Sequence, residues 1–199
     1  MSEHDFPEVM LDLETMGNGP NAAIVAIGAV AFSIERAEIS PRGFYGLVTL
    51  ESAVWNGGKM DAPTVIWWLQ QPDEAREEIT REDLERKDMT TVLAEFAHWI
   101  EVAAAGQDSR VWGNGAGFDN VILRSAYERA LCTPPWIHWN DRCYRTVKAL
   151  HLDVKIDCIG IHHHALDDAT SQALHLIRML RPEYRDAPAN FAFQIEAAT

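Results

Sequence analysis

Two acids interrupt what is otherwise a buried strand. In Glu8-Val-Met-Leu-Asp-Leu-Glu-Thr-Met-Gly17, Val9, Met10, Leu11 and Leu13 read as a short apolar strand broken by Asp12 and Glu14. Residues i and i+2 of a strand project to the same face, so the two carboxylates point together. At about 4 Å two like charges repel by roughly 4 kcal/mol at an effective dielectric of 20. Two remedies are open: a bound divalent cation, or a raised pKa that keeps one group protonated.

Length and composition bound what can surround that strand. The 199 residues suit a single α/β domain over 1–199, with a core at about 8–181 and a C-terminal tail at 182–199. Apolar residues make up 47% of the chain, enough for a sizeable core. No apolar run reaches the length of a membrane span, and Ala22–Phe32, punctuated by Gly28, reads as a buried strand. The first residues lack the basic and apolar regions of a signal peptide, so cytoplasmic residence is the expectation. Cys132, Cys143 and Cys158 are odd in number and have no C-x-x-C spacing; reduced thiols in or near the core are expected. The net charge of −13, from 30 acidic and 17 basic residues, argues against a protein that coats long nucleic acid. It leaves room for an enzyme that engages a chain end and lets metal ions supply the positive charge.

Three strands are expected first, Glu8–Leu13, Ala23–Ser33 and Phe44–Leu50, separated by the turn formers Gly17–Pro20 and Ser40–Gly43. Such short connections favour antiparallel neighbours. Helical patterns follow at Thr64–Gln70, Pro72–Ile79 and Thr90–Ala104, with Arg76–Asp88 a charged, solvated surface. A strand at Arg110–Trp112 runs into a glycine-rich loop, then helices are expected at Phe118–Leu131, Arg142–His151 and Leu166–Leu180. Strands first and strand–helix alternation afterwards imply an α/β fold, a mixed sheet flanked by helices. The tail after Pro182 either docks or frays.

Two more acids stand where packing alone does not explain them. Asp119 follows the loop Gly113–Gly117 at a helix entry, the place where ligands collect in open α/β sheets; it also suits a simple capping role. Asp168 lies in the first turn of the last helix, where the dipole favours acids anyway, beside the apolar stripe at 166, 169, 173 and 177. His162, His163 and His164 suit a metal tract, a catalytic base or a chance of composition. Consecutive side chains diverge, so joint ligation of one ion is not expected, and the partners of a zinc site are not apparent at suitable spacing.

The combination is more specific than its parts. Asp12-x-Glu14-Thr15, Asp119 after a glycine loop, and a histidine five residues before Asp168 resemble the DEDDh family of 3′–5′ exonucleases. The closer likeness is to the Rv2179c-like exoribonuclease branch and similar phage exonucleases. It shows in Asp12–Gly17, Ile27–Val30, Trp67–Gln70, Trp112–Gly115, Phe118–Ile122, Trp139–Arg142 and Ala165–Ala169. Gly117 stands where an acid often precedes the phenylalanine in that branch.

The resemblance implies a ribonuclease H-like fold: a five-stranded sheet of three antiparallel strands and then parallel ones. It implies removal of nucleotides from nucleic acid 3′ ends with two Mg²⁺ or Mn²⁺ ions per site. Asp12 would bridge both ions, Glu14 and Asp168 would complete one, and Asp119 would help hold the other. The H-x-x-x-x-D spacing picks His163 as general base; His162 and His164 do not fit it. Thr15, Met16 and Gly17 would lie beside the terminal nucleotide. Trp67 and Trp68 cannot share one helix face, so at most one is expected to reach substrate. RNA, including 3′ overhangs of duplexes, is the first expectation and single-stranded DNA the second. The rival from another class is a catalytically silent nucleic-acid-binding domain of the same fold. Membrane association is not expected, and a homodimer through an edge strand or the tryptophan-rich segment is an open expectation.

Overall fold

The computed structural model describes residues 6–80 and 84–193. The chain runs β1 (Glu8–Thr15), β2 (Ile24–Ser33), β3 (Glu38–Ile39), β4 (Phe44–Leu47), α1 (Leu50–Trp55), α2 (Ala62–Leu69) and α3 (Asp73–Thr80). It continues through α4 (Met89–Ala103), β5 (Arg110–Gly113), α5 (Asp119–Arg129), β6 (Asp141–Cys143), α6 (Tyr144–Leu150) and α7 (Ala165–Leu180). β1 is central, antiparallel to β2 and parallel to β5, which in turn pairs parallel with β6. β3 and β4 both pair antiparallel with β2. Since β1 takes the other edge of β2, these two short strands share one position, and the six strands fill five places.

Alternation along β1 sorts its side chains between two cores. Val9, Leu11 and Leu13 pack with α4 and α5 through Phe96, Ile100, Ile122 and Leu123. Met10 packs on the opposite side with α7 residues Ala173, Leu174 and Ile177 and with Tyr144. Asp12 and Glu14 share the parity of Met10 and so face α7. With helices covering both faces, all ten residues of β2 are buried, and the strand reads as a continuous apolar run.

The expected elements mostly stand, and the differences have local causes. The third strand ends at Leu47 rather than Leu50, because the Thr49 hydroxyl accepts from the Ser52 N–H and starts α1. Val48 and Leu50 alternate like a strand, which hides that cap. The expected helix at Arg142 begins at Tyr144, and Asp141–Cys143 pairs with β5 as the last parallel strand; three residues are too few for a periodic signal. The charged stretch Arg76–Asp88 is helical up to Thr80, and its residues 81–83 lie outside the described segments. The tail docks as far as Phe193, which bridges Ile39, with Ala192 O accepting from the Ile39 N–H at 2.7 Å. Cys132 and Cys158 are exposed rather than in the core. No helix among the described residues is long and apolar enough to cross a membrane.

Candidate active site

Two glycines decide where the acids meet. Asp12 pairs with Gly28 on β2, and a Cβ at Gly28 would fall 2.1 Å from the carbonyl carbon of Ala165. Only a residue without a side chain lets the first turn of α7 rest on the sheet there, and that turn carries Asp168. On the other edge Leu11 pairs with Gly113, where a Cβ would sit 3.0 Å from Asp119 Cβ and 2.3 Å from Asn120 Oδ1. The loop Gly113–Gly117 turns tightly, with Phe118 N–H and Asp119 N–H both donating to Gly115 O, and α5 opens at the end of β5 with Asp119 as its first residue. Carboxylate oxygens of Asp12, Glu14 and Asp168 consequently lie within 4.8 Å of one another. Asp119 lines the same cleft, of about 410 Å³.

The cluster is electrostatically uncomfortable by itself. Burial, then the neighbouring Asp119 and Asp168, push the Asp12 carboxyl well above the usual carboxylate range, while the Gln172 amide donates to Asp12 Oδ1 at 2.7 Å and pulls the other way. Asp119 is 2% exposed. Burial raises it to about 7 against backbone N–H groups of Asp119, Asn114 and Leu13 and the Arg145 guanidinium. Its Oδ2 is buried with no hydrogen-bond partner among the described residues. A buried carboxylate oxygen without a donor costs several kcal/mol in the charged form (roughly 1–3 or more). An all-oxygen donor set with one orphaned buried oxygen fits a hard divalent cation such as Mg²⁺ or Mn²⁺.

α7 also fastens the loop that carries the histidines. Ile159 N–H donates to Ser171 Oγ at 2.8 Å, Ile161 N–H to Asp167 Oδ2 at 2.8 Å, and His163 N–H to Asp168 Oδ2 at 3.0 Å. Upstream, Arg178 pairs with Asp157 at 2.6 Å. Gly160 has φ +70, and a Cβ there would collide with the Asp167 carboxylate at 2.1 Å, so this clasp requires glycine. His163 itself has φ +68, a strained region for a residue with a side chain; the bond to Asp168 holds it there. Its half-buried ring meets Trp67 edge-on, with centroids 5.0 Å apart. Burial, then His162, lower the His163 pKa below the ordinary 6.5, and Asp168 opposes them.

The three histidines part company in an unexpected way. His164 caps α7, its Nδ1 accepting from Asp167 N–H, and stacks on Tyr45 with centroids 4.5 Å apart. His162 does not diverge from His163: the left-handed turn stacks the two rings 3.9 Å apart and leaves His162 Nδ1 3.3 Å from Asp168 Oδ1. Consecutive side chains diverge along extended backbone, whereas the backbone at His163 is left-handed, with φ +68.

A second cleft, of about 540 Å³, adjoins the first and shares Leu13, Glu14, Phe118, Arg145 and His163 with it. Thr15 and Trp67 line it, and Trp67 is 41% exposed. Trp68 also lines it but is buried and donates its indole N–H to Thr15 O at 2.9 Å, so Trp67 is the more open of the pair. Met16 turns into the core instead and lines a separate apolar hollow with Val65 and Leu69. Gly17 accepts from the Thr15 hydroxyl, and a Cβ on it would meet Lys59 O at 2.7 Å.

A family profile described as the 3′–5′ exoribonuclease Rv2179c-like domain matches residues 7–180. The chain belongs to that family. An exodeoxyribonuclease of Enterobacteria phage T4 is 30% identical over 169 residues, covering 73% of this chain and 72% of the phage protein. The nuclease domain of 3′hExo, a DEDDh family member bound to rAMP, superposes with a TM-score of 0.58 at 17% identity, covering 91% of this chain and 94% of that one. A 3′-exonuclease solved in 3′-end-specific recognition of a histone mRNA stem-loop gives 0.56 at 16% identity, covering 93% and 85%. At such identity the likeness speaks for the fold, which is ribonuclease H-like. The protein is thus a 3′–5′ exonuclease of the DEDDh type.

The Rv2179c-like exonuclease brings Asp12, Glu14, Asp119, Asp168 and His163 to one cleft, together with residues that the motifs did not single out. Gln172 stands one helical turn beyond Asp168 and is 5% exposed, with its Oε1 buried and unpartnered. Arg145 and Lys148, three residues apart on α6, add positive charge to the same cleft, and Arg145 donates to Asn114 O at 2.6 Å. The i+4 spacing from Asp168 is a usable signal for Gln172. Nothing in the α6 sequence tells which of its basic residues face inward.

Proposed function

We propose that this exonuclease removes nucleoside 5′-monophosphates from RNA 3′ ends, with a pair of hard divalent cations and His163 as general base. The observation that carries the reading is the convergence of Asp12, Glu14 and Asp168 within 4.8 Å beside the buried, unpartnered oxygen of Asp119. Asp12, Glu14 and Asp168 would hold one ion, and Asp12 and Asp119 the other. Bound there, such ions relieve charge on the scissile phosphate and acidify the attacking water.

The chain's own residues do the rest. A ring nitrogen of His163 accepts the proton of the water that attacks phosphorus, and the bond to the 3′ oxygen of the penultimate nucleotide breaks, that oxygen taking a proton from solvent to become the new 3′-hydroxyl. Burial, by lowering the His163 pKa, keeps the imidazole neutral near pH 7, as a base must be. Asp168 beside it stabilises the imidazolium that forms and holds the loop through the His163 N–H. Gln172 fixes the Asp12 carboxylate. Arg145 and Lys148 attract the phosphate backbone where the net charge of −13 would otherwise repel it. Thr15 and Trp67 line the space for the terminal nucleotide, with Trp67 offering a stacking face.

The family description supports RNA, and the phage relative supports DNA as the second reading. End-labelled RNA and DNA oligomers of matched sequence, followed over time with Mg²⁺, with Mn²⁺ and with chelator, separate them. Faster shortening of RNA from the 3′ end, abolished by chelator and by Asp12→Ala, is expected. Cation-independent cleavage, or no cleavage of either strand, would overturn the reading.

A further inference from the structure

We propose that His162, His163 and Asp168 form a second cation site, of different chemistry from the carboxylate cluster, that takes Zn²⁺ and switches the exonuclease off. One ring nitrogen from each histidine and one Asp168 oxygen lie within 4.8 Å of one another. The convergence comes from the backbone. With φ +68 at His163, fixed by its N–H on Asp168 Oδ2, consecutive rings stack at 3.9 Å where an extended chain would send them apart.

The donor set selects the ion. Imidazole with carboxylate suits Zn²⁺, whereas an all-oxygen cluster suits Mg²⁺ or Mn²⁺. Donors on a tetrahedral zinc ion stand about 3.3 Å apart, from bond lengths of about 2.0–2.1 Å. His162 Nδ1 and Asp168 Oδ1 are already 3.3 Å apart. His162 is 71% exposed, so its ring can turn towards the ion without disturbing the core, and a water can complete the coordination.

The consequence follows from shared residues and rests on the roles proposed above for His163 and Asp168. An ion bound here occupies the nitrogen that would take the proton and draws Asp168 from the carboxylate cluster. The site itself needs neither role. His162 lies outside the reacting set, which makes the two ideas separable.

The test uses the full chain with metal alone and then with substrate. Without Mg²⁺, Co²⁺ should give the visible absorption bands of tetrahedral coordination, and Zn²⁺ should bleach them. Asp12→Asn should retain the bands, and His162→Ala should weaken Co²⁺ binding at least tenfold. In saturating Mg²⁺, Zn²⁺ should inhibit the parent protein, and His162→Ala should raise the half-inhibiting concentration at least tenfold while keeping the zinc-free rate within twofold. Equal zinc sensitivity of parent and His162→Ala, or cobalt bands lost with Asp12→Asn and kept with His162→Ala, would overturn the proposal. A fully active His163→Ala would refute the general base, whereas the His162→Ala spectra would still decide the cation site.

Discussion

Asp119 and Asp168 reach the same cleft from opposite sides of β1, and they are held in opposite ways. Asp119, at the head of α5, is 2% exposed, and one of its oxygens has no hydrogen-bond partner among the described residues. Asp168, in the first turn of α7, is half-buried, with one oxygen on the His163 N–H and the other beside His162. The first carboxylate is placed by packing. The second is part of a clasp, and its hydrogen bonds set the backbone that carries the histidine. Two acids of one motif are thus held differently: one by packing, and the other by hydrogen bonds that also build the site.

That difference can be broken in order of expected effect. Asp168→Ala should be the most damaging, since it removes a proposed cation ligand and frees the loop. Its loss should exceed that of His163→Ala, for which removal of a general base gives about 10²–10⁴-fold. Single-turnover rates at saturating Mg²⁺ check both, and adding His163→Ala to Asp168→Ala should cost little more, because the two act as one unit. Full additivity would show that Asp168 does not position His163.

Asp119→Asn should lose activity but leave the His163 amide as protected from hydrogen exchange as in the parent, whereas Asp168→Ala should expose it. The same variant carries a stability signature. The folded-state pKa of Asp119 is raised from 3.8 to about 7, so between those values the folded protein binds more protons than the unfolded one and loses stability as pH rises. Metal-free Asp119→Asn should therefore melt above the parent at pH 8, with the gap closing towards pH 4. A lower melting temperature at pH 8 would mean that the carboxylate is already satisfied.

Ser171→Ala should have the smallest effect. It removes one hydrogen bond to the loop, worth about 1 kcal/mol, and so should slow turnover by roughly fivefold while raising exchange at the Ile159 amide. A loss as large as that of Asp168→Ala would shift the burden of positioning from the carboxylate to the whole clasp.

Much of the fold was legible because periodicity reports burial: the apolar run of β2 and the stripe on α7 follow directly from which faces are covered. α1 and β6 were not, being short and resembling their neighbours in pattern. In the site, Asp12 and Glu14 stood out because two acids contradict a buried strand. Asp119 and Asp168 did not stand out alone, since acids are common in first helical turns. Gln172, the inward turn of Met16 and the pairing of His162 with His163 depend on packing that no local spacing encodes.

By itself, the sequence determined the parity of β1, the order of elements and the chemical types at hand, because strand alternation and helical period act between near neighbours. Only the tertiary structure decided which acids share a cleft, which oxygen lacks a partner and which histidines converge. Those outcomes turn on contacts across the chain, such as α7 lying on Gly28 and α5 closing on Gly113, and on one left-handed residue. Steric fit at a distance, and the hydrogen bond that pins His163, have no signature in the residues beside them.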